Sequence, residues 1–188
     1  MIFRNLTMAG FKSFAEKVEI DIDPGLTGIV GPNGCGKSNI VEAMRWIMGE
    51  SSARQMRGTE MDDIIFAGTE NRPARNLAEI LLKLDNSNRT APADFNNADE
   101  LEIIRKVQRG KGSSYLINGR PARAKDVQLL FADTASGARS AGIVSQGRIG
   151  AIVGAKPEDR RSLIEEAANI KGLHQRKRDA VGIVDQDA

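Results

Sequence analysis

The chain has 188 residues, enough for one domain with a sizeable core and too few for two comfortable ones. Hydrophobic residues make up 40% and charged residues 28%, as in ordinary globular proteins, while an aromatic content of 4% leaves the core to Ile, Leu, Val, Ala and Met. The net charge of +2 removes any bulk argument for nucleic acid and the lone Cys35 excludes an internal disulfide; no apolar run approaches the ~18 residues that would cross a membrane, so a cytoplasmic protein in a reducing compartment is expected.

In chain order, Ile2, Leu6 and Met8 share one parity, interrupted by Arg4, and Val18, Ile20 and Ile22 alternate with Glu19 and Asp21. Both segments read as half-buried strands. Residues 26–30, LTGIV, are short, β-branched and uncharged, and predict a strand buried on both faces that runs directly into Gly31. Ile40, Val41, Met44, Ile47 and Met48 then recur at helical spacing over 38–48, and Gly49 ends that helix. Strands are predicted at 78–84, 101–107 and 114–117, with the Asn118-Gly119 pair as a turn and a helix over 124–131. Between the first two of these, 85–99 is rich in Asn, Asp, Ala and Pro without periodicity, and reads as an exposed loop of variable shape. Pro157, followed by Glu158 and Asp159, opens a helix whose apolar stripe is Leu163, Ile164, Ala167, Ala168 and Ile170. Residues 182–188 carry no heptad pattern and read as a frayed tail.

Residues 31–38 read GPNGCGKS, the pattern G-x-x-x-x-G-K-S, set between a predicted strand and a predicted helix. Gly31, Gly34 and Gly36 permit backbone conformations in which successive N–H groups face an anion, and the helix start adds its dipole. In such a P-loop Lys37 reaches the β- and γ-phosphates of a nucleoside triphosphate, most simply ATP, and the Ser38 hydroxyl ligates Mg²⁺. Pro32 stiffens the loop and the Asn33 side chain is placed to donate near the γ-phosphate. Cys35 has no base near it in sequence, and reads as a small residue suited to the turn rather than as a nucleophile. Hydrolysis needs a further Mg²⁺ carboxylate. The nearest match to an apolar strand ending in that carboxylate is ILLKLD at 80–85, which Lys83 interrupts. The sequence thus reads as half of a catalytic site.

GFKSF at 10–14, GPNGCGKSNIVEAMRW at 31–46, MRG at 56–58, DDIIFAG at 62–68, SQG at 145–147 and EDRRSLIEEAA at 158–168 occur in the order found in bacterial SMC chromosome-partition proteins. The chain resembles that family from residue 1 to about 180, as the N-terminal lobe of an ABC-type ATPase head. The resemblance implies an α/β P-loop NTPase fold with a mixed or antiparallel β subdomain and C-terminal helices. It implies nucleotide contacts through residues 31–39, Asn39 included, and through Lys12 and Ser13. It places Gln146 at the Q-loop, on Mg²⁺ and the attacking water, and Arg57 in the arginine-finger position, so that Lys37, Gln146 and Arg57 form the catalytic set. It implies a C-terminal head lobe carrying the missing carboxylates, a second head engaged through ATP, a kleisin-type subunit, and sequence-nonspecific DNA near the nucleoid. Where the family continues as a long heptad helix, residues 181–188 do not, so a fragment that is inactive or weak on its own is expected. A binding-only fragment, the head lobe of a related DNA-repair ATPase, and an independent small P-loop kinase are the alternatives.

Two basic clusters are candidates for DNA phosphate contact. Arg105, Lys106, Arg109 and Lys111 flank a predicted hairpin, followed by Arg120, Arg123 and Lys125; Arg160, Arg161, Lys171, Arg176, Lys177 and Arg178 lie on the terminal helices. Taken singly, each reads more readily as part of a solvated face than as a DNA contact. His174 reads as a solvent-facing helix residue, with no ligand partners patterned around it.

Overall fold

The computed structural model describes residues 1–132 together with Gly154, Pro157 and Arg161. Gln146, His174, the basic residues from 171 to 178 and the tail at 181–188 lie outside the described residues, while Pro157 and Arg161 are helical.

Alternating apolar residues build six strands, β1 (Ile2–Ala9), β2 (Val18–Asp21), β3 (Leu77–Asp85), β4 (Glu100–Gln108), β5 (Gly112–Ile117) and β6 (Arg120–Ala122). They form one sheet in the order β2-β1-β3-β4-β5-β6, with every neighbouring pair antiparallel. Ala78, Ile80, Leu82 and Leu84 of β3 and Leu101, Ile103 and Val107 of β4 point to one buried face. Helices α1 (Lys37–Ile47) and α2 (Ala124–Ala132) cover that face, contributing Ala43, Trp46 and Ile47 and Val127, Leu130 and Phe131. The strands predicted at 78–84, 101–107 and 114–117 and the helices at 38–48 and 124–131 are all present, within a residue or two of the expected ends.

Arg4, which broke the parity of the first strand, sits at an irregularity. The β1–β3 register shifts between Phe3 and Asn5, and Arg4 turns outward to Asp85, with Nη2 and Oδ2 2.6 Å apart. The extra residue flips the side-chain alternation, so Phe3 and Leu6 both serve the core although their numbers differ in parity.

Two expectations are corrected. Residues 26–30 are not a strand, and Leu26 is 99% and Val30 93% exposed. A strand exists through the neighbours that take up its N–H and C=O groups, and the six strands of the described sheet leave this segment outside their order. The 85–99 connection, expected to lack fixed shape, is organised by Asn86, which is fully buried. Its Nδ2 donates to the Ala98 carbonyl at 2.9 Å, its Oδ1 accepts from the Ala91 amide at 3.0 Å, and its amide donates to Asp99 at 2.7 Å. An asparagine so placed substitutes for a backbone ladder.

Candidate nucleotide site

Residues 31–35 are exposed, and α1 begins at Lys37 with Gly36 as its N-cap. Gly36 has φ 101°, and a Cβ there would lie 2.9 Å from Ser13 Oγ and 3.1 Å from Phe14 Cζ, so glycine is required twice over, by conformation and by space. No side chain caps this helix start and its first turn holds no acidic residue. The unpaired N–H groups and the positive end of the helix dipole therefore face outward beside the loop, which is the arrangement that holds an anion. Lys37 Nζ donates to the Gly31 and Pro32 carbonyls, both at 2.6 Å, and approaches Cys35 Sγ at 3.8 Å, so the ammonium sits within the ring of the loop. Cys35 Sγ would lie 2.8 Å from a Cβ on Gly31, consistent with a small residue filling the turn. Ser38 is exposed at the helix start. Loop, ammonium and hydroxyl together fit a nucleotide phosphate chain and its Mg²⁺.

The GFKSF turn is bolted beneath this loop. Phe11 and Phe14 exchange backbone hydrogen bonds at 3.0 and 2.8 Å, the Lys12 amide donates to the Ile64 carbonyl at 2.7 Å, and the Phe66 amide donates to the Gly10 carbonyl at 2.8 Å. Gly10 has φ 63°, and a Cβ there would fall 2.1 Å from the Leu77 carbonyl oxygen, so no other residue fits. Buried Phe11 meets Trp46 of α1 with ring centroids 5.7 Å apart. Ser13 is left at the tip, where its Oγ accepts from Asn39 Nδ2 at 2.8 Å.

Arg57 reaches the same place from another segment. It ends a 3₁₀ turn, Arg54–Met56, in a left-handed conformation with φ 54° and ψ 37°. Its Nη2 donates to Asn39 Oδ1 at 2.9 Å, and its Nε pairs with Glu42 Oε1. The following chain is held by Asp63, whose Oδ2 accepts from the Thr59 amide at 2.7 Å, the Thr59 hydroxyl at 2.8 Å and the Glu60 amide at 2.9 Å. The Glu60 amide first, then the two Thr59 donors, hold the Asp63 carboxyl below the usual range.

The structure therefore brings Lys12, Ser13, residues 31–39 and Arg57 into one neighbourhood, while Gln146 lies outside the described residues. Sequence reasoning passed over Glu42, although a glutamate at i+4 from Ser38 was its signal. Asp85, which ends the ILLKLD run, is taken up at the far end of β1 by Arg4 and by the Ser87 amide at 2.8 Å.

The first basic cluster is corrected. Arg105 is 3% exposed, on an inward-facing position of β4. Its guanidinium lies 4.4 Å from the Trp46 ring centroid and 4.7 Å from that of Tyr115, and Nη1 donates to the Trp46 and Glu50 carbonyls at 2.6 and 2.7 Å. It is unavailable to DNA. Lys106 pairs with Glu79 at 2.5 Å. Arg120, Arg123 and Lys125 are exposed, but Arg123 Nη2 is 3.2 Å from Asp126 Oδ1, and Arg120 shares a groove of about 540 Å³ with Asp94 and Asp126.

An antiparallel sheet carrying a P-loop helix on one face defines an α/β nucleotide-binding class. Residues 2–137 match the RecF/RecN/SMC N terminal domain family, and the chain belongs to it. It is 59% identical over 180 residues to the chromosome partition protein Smc of Rhodopseudomonas palustris, covering 96% of this chain and 16% of that protein. Thus the chain spans about a sixth of the length of that relative, and 15% of the Bacillus subtilis Smc, to which it is 47% identical. Among solved structures, the Smc head domain of Pyrococcus furiosus, bound to the C-terminal domain of ScpA, superposes with a TM-score of 0.83 at 35% identity, over 98% of this chain and 46% of that one. No helix among the described residues is long and apolar enough to cross a membrane.

Proposed function

We propose that this chain is the nucleotide-binding lobe of an SMC-type ATPase head that works in chromosome condensation and segregation, with residues 1–180 as the lobe and 181–188 as its tail. The observation that carries this reading is the uncapped start of α1 behind the exposed residues 31–35, with the Lys37 ammonium seated on the loop carbonyls. Residues 31–39 hold ATP in this reading. Lys37 offsets phosphate charge and the Ser38 hydroxyl, with Gln146, ligates Mg²⁺. The metal, when bound, supplies neutralisation of the triphosphate oxygens. Asn39 links the site to Ser13 and Arg57, and Arg57 stabilises the charge that develops as water attacks the γ-phosphorus. The carboxylates that complete the site come from a C-terminal head lobe. A second head closes over the nucleotide, a kleisin-type subunit of the ScpA kind binds the head, and DNA is held without sequence preference at the nucleoid. Arg120, Arg123 and Lys125 are the candidates for phosphate contact, with Arg123 already paired to Asp126.

The test pairs this chain with a separately expressed C-terminal head lobe. The mixture is expected to hydrolyse ATP, and Lys37→Ala is expected to lower turnover by at least about a hundredfold, as removal of charge stabilisation at a transition state does. A mixture that forms a complex without turnover would leave a binding-only lobe, and turnover by this chain alone with a phosphate acceptor would make it a kinase.

A further inference from the structure

Glu42 lies one helical turn beyond Ser38, so the two share a face of α1. It is 6% exposed, yet its carboxylate meets two cations from separate segments. Oε1 pairs with Arg57 Nε, and Oε2 is 2.5 Å from Lys12 Nζ. The same Lys12 ammonium donates to the carbonyl of Met56, the residue before Arg57. Both cationic residues have left-handed backbones, with φ 47° at Lys12 and 54° at Arg57, conformations that persist only where surrounding contacts impose them. An apolar residue of similar volume serves stability as well as a buried ion pair does. What the carboxylate adds is direction: with Nε tied to Glu42, the Nη2 edge of the guanidinium is turned to Asn39 at the phosphate loop.

We propose that Glu42 is a positioning residue that fixes the Arg57 guanidinium toward the nucleotide and ties it to the GFKSF turn through Lys12. This rests on the ATPase reading above. Arg57 reaches the site from a 3₁₀ turn with 58% of its side chain exposed, so its own packing does not orient it. Glu42, on the helix that opens with Lys37, transfers the rigidity of that helix to the arginine.

The experiment uses this chain in complex with the C-terminal head lobe and compares Glu42→Gln, Glu42→Asp, Arg57→Ala and the Glu42→Gln/Arg57→Ala double variant. Glu42→Gln is expected to lower kcat about tenfold while KM for ATP moves less than about twofold, because orientation and not ground-state binding is lost. Glu42→Asp, which keeps the charge, is expected to recover part of the rate and serves as the reading if Glu42→Gln folds poorly. In the Arg57→Ala background the Glu42 substitution is expected to change kcat less than about twofold. The slowly exchanging Arg57 Nε–H resonance is expected in the wild type and absent in Glu42→Gln. Unchanged kcat, a loss equally large without Arg57, or an unaltered Nε–H resonance would overturn the proposal. A wild-type complex without turnover sinks the ATPase reading and this one with it, whereas turnover indifferent to Glu42 sinks only this one.

Discussion

Asp63 shows how single residues hold the shape around Arg57. A Cβ on Gly58 would lie 3.0 Å from Asp63 Cβ, so the carboxylate both caps Thr59 and Glu60 and crowds the turn that follows Arg57. Because hydrogen bonds hold its folded pKa below the ordinary 3.8, its contribution is complete above that value and is lost as pH falls through the lower folded value. The Thr59 and Glu60 amide proton shifts are therefore expected to titrate together with a midpoint below 3.8, and Asp63→Asn to abolish the transition. A midpoint at or above 3.8 would contradict the geometry. By contrast, Tyr115 is pushed up to about 12 by burial, and stays neutral across the working range.

Helix α1 is the element through which the site and the sheet communicate. Its start is fixed by Ser13 and Phe14 and its end by Arg105, which spans from β4 to the Trp46 and Glu50 carbonyls. Arg105→Ala removes the guanidinium donor from the Trp46 and Glu50 carbonyls and uncovers the Trp46 ring, and is expected to cost about 3 kcal/mol in a urea titration, more than Arg105→Met, which refills the space. At this scale the sequence was legible wherever alternation was clean, as in β3 and β4, and wherever glycine marked a turn, as at Gly36 and Gly49. It was not legible at Arg105, where aromatic rings distant in sequence, Trp46 and Tyr115, make an inward position suit a cation. Nor was it legible at Asn86, because a buried amide that knots a loop has the same composition as an exposed one. The P-loop was readable because its chemistry is local; the Glu42 link was not, because its partners, Lys12 and Arg57, come from segments before and after the helix.

For the whole molecule, the segment before the P-loop is the exposed liability. Leu26 at 99%, Ile29 at 47% and Val30 at 93% exposure form an apolar stretch with strand character that the described sheet does not absorb. The isolated chain is expected to bind ANS and to aggregate through this stretch. Val30→Lys is expected to suppress both in light scattering, and to prevent co-purification with the C-terminal head lobe if that lobe supplies the neighbouring strand. A soluble variant that still pairs would place the docking surface elsewhere.

The pairing of β1 with β3 has a consequence for how the protein is made. Ala9 waits for Glu79, and Ile2 for Asp85, before the second-ranked strand of the sheet has its inner neighbour. At about 5–20 residues per second, translation reaches those partners only seconds after β1 has emerged. The whole P-loop segment lies on the chain looped out between them, so closing that loop precedes any fixed floor beneath Gly36. The phosphate-loop segment is thus encoded early in the chain and assembled late, and among the described strands β1 and β2 are the pair able to form in the interval.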